Sequence, residues 1–332
     1  MRDRLKFLTV ALAFLTASCG GGGATHTVIP LSGPVRDAPG RLLFGAQGQF
    51  KTFTPATKAV TTLPGPEGWF AGQPAASPDG RLIAFATTTR SAEGFYSTGT
   101  DLYLMAPDGT GRRRLLEHDA SGVSYTEPAW DPGGKMLYYT RVAGGGKVRI
   151  ERARLDGTGR AIVAEGAHSP TVSARGRLAF LTTNASTVTQ SLWVRDANGT
   201  RRRAVGEDTF SALSSPRFSP DGEHLAFAAV GGPEGPNPRS ELPWHRRHAW
   251  RGVESAAGHA VPWDLWIVGT DGTALTRVTF LNENVPVPAW SPDGRWIAFS
   301  GEYGLYLLEV AGRRVLRVSP EIANGGMTWV RP

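Results

Sequence analysis

Short apolar runs, each closed by turn residues, recur through most of the chain. PAWSPDGRWIAFS at 288–300 is one copy, and AASPDGRLIAF at 75–85, RFSPDGEHLAF at 217–227 and AWDPGGKMLYY at 129–139 repeat its core. RLIAF and RWIAF are rich in branched and aromatic residues, which suits a strand buried between adjacent sheets. In SPDG, Pro presets φ at the first corner, Asp bonds the backbone and Gly takes positive φ. The unit therefore reads as an apolar strand ending near Trp or Phe, an SPDG turn and a strand like RLIAF. A loop, a strand like DLYLM, a DGT turn and a last strand such as RRLL complete it. Asp-Gly at the second turn is a hairpin signal. SPDG is thus expected to be a folding corner rather than a reactive site.

The first turns begin at Ser77, Asp131, Ser173, Ser219 and Ser291. The second turns are PDGT at 107–110, LDGT at 155–158, ANGT at 197–200, TDGT at 270–273 and VAGR at 310–313. The period is that of a four-stranded propeller blade. At the N-terminal end, RLLFG at 41–45 matches the RLIAF strand but has no strand before it. At the other end, GGMTWV at 325–330 matches VPVPAW at 285–290, with Trp329 on Trp290, and nothing follows it. The C-terminal segment should then be the innermost strand of the first blade, which closes the ring and removes an open terminal blade. The predicted fold is all-β, a six-bladed β-propeller of four-stranded antiparallel blades. The blades are expected over 41–63 plus 325–330, 73–117, 125–165, 167–206, 213–280 and 286–318.

The repeat P-x-W-S-P-D-G-R-x-I-A-F, followed by D-L-Y/W and D-G-T, resembles that of the TolB-like propellers, a WD-like unit, over about 41–330. The resemblance implies a propeller that serves as a binding platform, a sensor or part of an enzyme; fold alone does not choose among them. TolB carries an additional N-terminal α/β domain. Here only a tether is expected ahead of the first blade, and no added hydrolase domain is expected.

Composition changes this picture little. The 332 residues carry a formal charge of +7, nearly all of it from Arg. RRR at 112–114 and at 201–203 occupies equivalent places in two repeats, as solvated turn and edge-strand charge that discourages edge-to-edge pairing. No basic groove interleaved with aromatics points to nucleic acid. The SPDG motifs lack the spacing of a sialidase-type Asp box, and no G-x-S-x-G nucleophile elbow occurs. Each DGT supplies one carboxylate where a calcium loop wants several. No cofactor is expected.

The first forty residues read as an address. Arg2, Arg4 and Lys6 precede an apolar run from Phe7 to Leu15, then the small residues Thr16, Ala17 and Ser18, then Cys19, which is the one cysteine. This is the order of a secretory signal, with a run too short to span a bilayer. LTASC resembles a bacterial lipoprotein signal, which implies acylation of Cys19. Two or three acyl chains, at about 0.8 kcal/mol per buried methylene, hold stably where one does not. The alternative is an ordinary signal peptide with an incidental cysteine. Residues 1–18 are then the signal and 19–40 a flexible tether, rich in Gly and poor in core-forming residues. A membrane-anchored lipoprotein facing the periplasm or cell exterior follows.

A site is sought in loops on the rigid frame. The first and second turns should share one face. The other face should carry the loops after the RLIAF-type strands and those leading into the next blade. One of these, about 230–262, is much longer than its counterparts and holds Trp244, His245, Arg246, Arg247, His248, Trp250, Arg251 and His259, with Trp263 at its end. Trp and Arg are favoured interface anchors, and Arg grips carboxylates bidentately. One reading is a cap over the channel mouth that holds an envelope or extracellular protein or peptide. The other is a surface excursion whose aromatics fold onto the propeller side. His245 and His248 stand three apart, but no Cys and few carboxylates join them, so no metal site is expected. Inter-blade loops bring Asp119, Glu127, His168, Asp208, Asn282, Glu283 and Asn324 toward the same face. Glu127, His168 and Glu283 are taken as binding candidates there. The alternatives are a hydrolase or lyase that uses such carboxylates and His168, or a small-ligand sensor.

Overall fold

The computed structural model describes residues 29–64, 70–88, 99–233, 263–281 and 286–331. Three strands of blade 1 are β1 (Arg41–Ala46), β2 (Gln49–Thr54) and β3 (Ala59–Thr62). Blade 2 is β4 (Phe70–Ala76), β5 (Ile83–Thr88), β6 (Asp101–Met105) and β7 (Arg113–Leu116). Blade 3 is β8 (Ser124–Trp130), β9 (Met136–Ala143), β10 (Lys147–Arg154) and β11 (Ala161–Glu165). Blade 4 is β12 (Ala167–Val172), β13 (Leu178–Thr183), β14 (Gln190–Arg195) and β15 (Arg201–Val205). Blade 5 is β16 (Ala212–Phe218), β17 (His224–Val230), β18 (Trp263–Gly269) and β19 (Thr276–Arg277). Blade 6 is β20 (Ala289–Trp290), β21 (Trp296–Gly301), β22 (Gly304–Glu309) and β23 (Arg314–Ser319). The last strand, β24 (Met327–Val330), returns to blade 1. All pairings within the blades are antiparallel, and the sheet order β24-β1-β2-β3 closes the ring. Leu42 faces Trp329 and Phe44 faces Met327 across that joint. The inner strands β24, β4, β8, β12, β16 and β20 meet one another in cyclic order around the channel.

The RLIAF-type strands are buried on both faces because each blade is sandwiched between two others. In β5, Ile83 and Phe85 pack toward blade 1, while Ala84 and Ala86 pack toward blade 3. In β21, Ile297 and Phe299 face blade 5, and Trp296 and Ala298 face blade 1. Every blade-to-blade interface has an apolar cluster of this kind.

The SPDG corners work as turns. Ser77 Oγ donates to Asp79 (2.6 Å) and accepts from Leu82 N (2.9 Å), while Asp79 accepts from Arg81 N (3.1 Å). Ser219–Asp221 and Ser291–Asp293 repeat the arrangement, with the turn glycines at φ near +70°. In DGT, Asp108, Asp156 and Asp271 each accept both the N–H and the hydroxyl of the Thr two residues on.

Residues 29–40, expected to belong to a flexible tether over 19–40, are instead packed on the flank of blades 6 and 1. Leu31 bridges Arg317 in parallel, and Ser32 N donates to Arg317 O (2.8 Å). Val35 N donates to Pro55 O (3.0 Å), Asp37 pairs with Arg295 (2.7 Å), and Val35 and Ala38 are buried. A polar, Pro-rich segment that covers an edge strand needs few apolar contacts, because backbone bonds to that edge hold it. Cys19 and the signal segment lie outside the described residues.

Candidate functional site

The channel is the site these strands build. Four inner strands carry a β-bulge at the same place, in the sequence x-Pro: Gln73-Pro74, Glu127-Pro128, Ser169-Pro170 and Ser215-Pro216. The first residue of each pair sits at φ +54°. A non-glycine there costs of order 1–3 kcal/mol, and a bulge re-aims the side chain it carries. Just before β24 the matching position is Gly326, at φ +77°.

The bulge residues hand hydrogen bonds around the ring. Gln73 N donates to Gly325 O, and Glu127 N donates to Gln73 Oε1 (2.8 Å). Ser169 N donates to Glu127 Oε2 (2.9 Å), Ser169 Oγ to Glu127 Oε1 (2.7 Å) and Thr140 Oγ1 to Glu127 Oε2 (2.8 Å). Glu127 is therefore committed to three donors on two blades. His168 Nδ1 lies 3.1 Å from Ser169 Oγ, and its Nε2 lies 3.2 Å from Thr183 Oγ1. This is not a nucleophile relay: in one, His stands between hydroxyl and carboxylate, whereas here the serine proton goes directly to Glu127. Ser169 is also 3% exposed.

Burial holds the His168 imidazole below its ordinary pKa, against the opposing pull of Glu127. The unfolded chain then binds that proton more readily than the native one. Stability is fully present above the unfolded value, about 6.5, and is lost as pH falls from there toward the lower native value. The turn carboxylates Asp79, Asp108, Asp156, Asp221 and Asp271 are held low by hydrogen bonds from Ser or Thr. Their contribution is present above about pH 4 and is lost below it. Urea midpoints measured against pH should fall in two stages. His168→Asn should remove the upper stage and leave the lower one.

Both ends of the channel are concave. On the face with the loops that follow β1, β5 and β17, a cavity of about 480 Å³ is lined by Gln47, Gln73, Thr100, Glu127, Ser215 and Asn324 among others. On the SPDG face, a cavity of about 330 Å³ is walled by prolines, Trp130, Trp290, Trp329 and Phe218. Arg217 lines both. The equivalent inner-strand position, next after the proline or after Met327, is Ala75, Ala129, Thr171, Ala289 or Thr328 in the other blades; blade 5 places Arg217 there. Its Nη1 donates to its neighbour's carbonyl, Pro216 O (2.9 Å). Among the described residues no carboxylate lies within ion-pair distance of it. Burial pulls its pKa below the ordinary arginine range, with Glu127 acting in the opposite sense. Repeat alignment held the signal for Arg217, an arginine where the other repeats place Ala or Thr.

Of the residues singled out from sequence, Glu127 and Asn324 line the wider mouth, and His168 stands beside Ser169. Asp119 lies apart, held by Arg141 (2.9 Å) and Arg160 (3.6 Å). Asp208 is exposed. Trp244, His245, Arg246, Arg247, His248, Trp250, Arg251, His259, Asn282 and Glu283 lie outside the described residues. The ends of the long insertion are described: Val230 pairs with Trp263 across β17 and β18. Among the described residues no cluster of three His, Cys, Asp or Glu is placed to hold a metal.

The aspartate of D-L-Y/W has a structural role that sequence reasoning missed. Asp101 accepts from His118 N (2.9 Å) and His118 Nδ1 (2.6 Å). Asp264 accepts from Arg277, Thr279 Oγ1 (2.9 Å) and Leu281 N (2.9 Å). In both blades the carboxylate pins the exit of the outer strand to the start of the third.

The ring matches solved propellers in fold. It aligns with TolB from Acinetobacter baumannii at TM-score 0.62 and 18% identity, over 89% of this chain and 67% of that one. It aligns with a chain of the nidogen/laminin complex at TM-score 0.63 and 12% identity, over 87% and 98%. A putative TolB from Agrobacterium tumefaciens gives TM-score 0.56 and 16% identity, over 77% and 83%. The fold is thus a TolB-like six-bladed propeller. No family model and no curated protein matches the sequence.

Proposed function

We propose that this chain is a cell-envelope lipoprotein, acylated at Cys19, whose propeller binds a protein or peptide partner through the face from which residues 230–262 emerge. The observation that carries the reading is a closed ring that holds both ends of this insertion side by side, through the Val230–Trp263 pair, at the end of blade 5 that faces the same way as the wider channel mouth. The insertion supplies Trp244, Trp250, Arg246, Arg247, His245 and His248, residue types that anchor interfaces. Glu127 and His168 then shape the mouth, with Glu283 as a further candidate from the sequence. The commitment of Glu127 to Thr140 and Ser169 supports a scaffold over an acid–base catalyst. The address rests on the order of charged, apolar and small residues before Cys19.

One experiment tests both halves. The full chain is produced in bacteria fed a clickable palmitate analogue, crosslinked in place and fractionated. The intact protein is expected in membranes, labelled and crosslinked to a partner. Cys19→Ser should lose the label and leave the membrane fraction. Because Val230 and Trp263 are paired neighbours, an Asn-Gly turn can replace residues 234–262 without parting β17 from β18. That variant should melt within a few degrees of the parent and lose the crosslinked partner. If it still captures every partner of the intact protein, the insertion is not the binding element.

A further inference from the structure

We infer that the SPDG end of the channel is a binding site for a carboxylate carried on an apolar body, with Arg217 as the anchor. This lies at the opposite end from the face in the proposed function, and it stands or falls separately.

Six equivalent inner-strand positions ring the channel, one from each blade. Five are Ala or Thr, so the channel stays open there, and the sixth is Arg217, whose side chain reaches the boundary between the two cavities. Arg217 is half-buried there, and among the described residues no carboxylate lies within ion-pair distance to meet its charge. Among the described residues its side chain's one hydrogen bond goes to the carbonyl of the adjacent residue, Pro216. Glu127, the carboxylate that acts on it electrostatically, already receives three donors. The guanidinium therefore keeps N–H groups for an incoming acceptor.

The wall decides what that acceptor is attached to. Trp130, Trp290, Trp329, Phe218 and a succession of prolines line the SPDG cavity, with no acidic side chain among its lining residues. Several other polar groups at this end are already engaged. The Ser77, Ser219 and Ser291 hydroxyls donate to their turn aspartates, and the indole N–H groups of Trp130 and Trp290 donate to Ala75 O and Arg217 O. At the rim, the exposed Arg331 adds a second cation. A cleft of about 330 Å³ walled by indoles and prolines, with one convergent charged fork, has the size of a small-ligand site. A guanidinium matches a carboxylate bidentately. Phosphate, with more charge to desolvate, fits this wall less well.

The test is calorimetric titration of the full chain with N-acetyl-phenylalanine, its methyl ester and phenyl phosphate. Two short peptides ending in Phe, one with a free carboxylate and one amidated, show whether a free acid or a chain end is preferred. The free acid or the free-ended peptide should bind at least about tenfold more tightly than its neutralised counterpart. Arg217→Gln should weaken binding by a similar factor, the scale of a charge-assisted bond in a dry site. Arg217→Lys should fall between, and Arg331→Gln should cost a few-fold in a salt-dependent way. Urea midpoints of the variants separate loss of binding from loss of fold. Replacing 234–262 should leave this affinity unchanged, so failure of the proposed partner face would not touch the result. Equal affinity for acid and ester, an unchanged Kd in a folded Arg217→Gln, tighter binding of phenyl phosphate, or no binding by any carboxylate would each overturn the inference.

Discussion

Deleting the chain from Met327 onward is expected to leave no cooperatively folding protein. That segment supplies the inner strand of blade 1, and Met327, Trp329 and Val330 within it are buried to 2%, 6% and 2% exposure. Its removal uncovers β1, where Leu42, Leu43 and Phe44 have no solvent exposure, and opens a ring whose inner strands brace one another. Losing a buried Trp or Met side chain alone costs about 2–5 kcal/mol. Losing both, together with the buried Val330 and the unpaired ladder, is on the scale of the 5–15 kcal/mol or so that a folded domain has in hand. Urea unfolding followed by tryptophan fluorescence should show one sigmoidal transition in the parent and a shallow drift in the truncated chain. Trp329→Ala should keep the transition but lose about 3–5 kcal/mol, since the rest of β24 still pairs with β1. A truncated protein that unfolds at the parent's midpoint would mean that the joint does not hold the ring.

Asp264→Ala is expected to cost about 3–5 kcal/mol, the range seen when one partner of a buried ion pair is removed. Asp264 is 1% exposed and Arg277 6%, and the carboxylate also satisfies Thr279 Oγ1 and Leu281 N. Burial pushes its carboxyl up, and Arg277 with these donors pulls it back. The alanine variant leaves a buried guanidinium whose remaining partners are Thr279 O and the faces of Phe280 and Trp266. The matching change Asp101→Ala should cost less, about 1–3 kcal/mol, because Arg114 and His118 are more open to water. Asp264→Ala combined with Arg277→Leu should recover much of the loss, as pairs removed together often do. If the single and double variants are equally unstable, the damage comes from the backbone ties of Asp264 and not from the stranded charge.

The ring was legible because its signals are local and repeated. Turn chemistry at Ser77, Ser219 and Ser291, and branched strands after it, need no knowledge of the partners each strand meets. The closing strand was legible because two incomplete repeats at the ends complement each other. Three features were not. The Asp101 and Asp264 clamps appear as strand residues until the exit of the outer strand is seen to fold back onto them. Residues 29–40 read as linker because backbone bonds to an edge, rather than apolar periodicity, hold them. Arg217 reads as one arginine among many, since its meaning lies in the small residues at the same place in other blades. The engagement of Glu127, in sequence a binding candidate at the mouth, is hidden in the same way as these three. Its three donors come from residues far along the chain, which spacing cannot reveal.

The docked segment at 29–40 also bears on how far the ring can stand from a bilayer. If Cys19 is acylated as proposed, no more than positions 20–30 separate that anchor from Leu31 and Ser32, which are fastened to Arg317. At about 3.5 Å per residue fully drawn out, that leash reaches at most roughly 40 Å. A lipidated form would lie close to its membrane, tied at the flank of blades 6 and 1. Partners out of such reach would have to come to it.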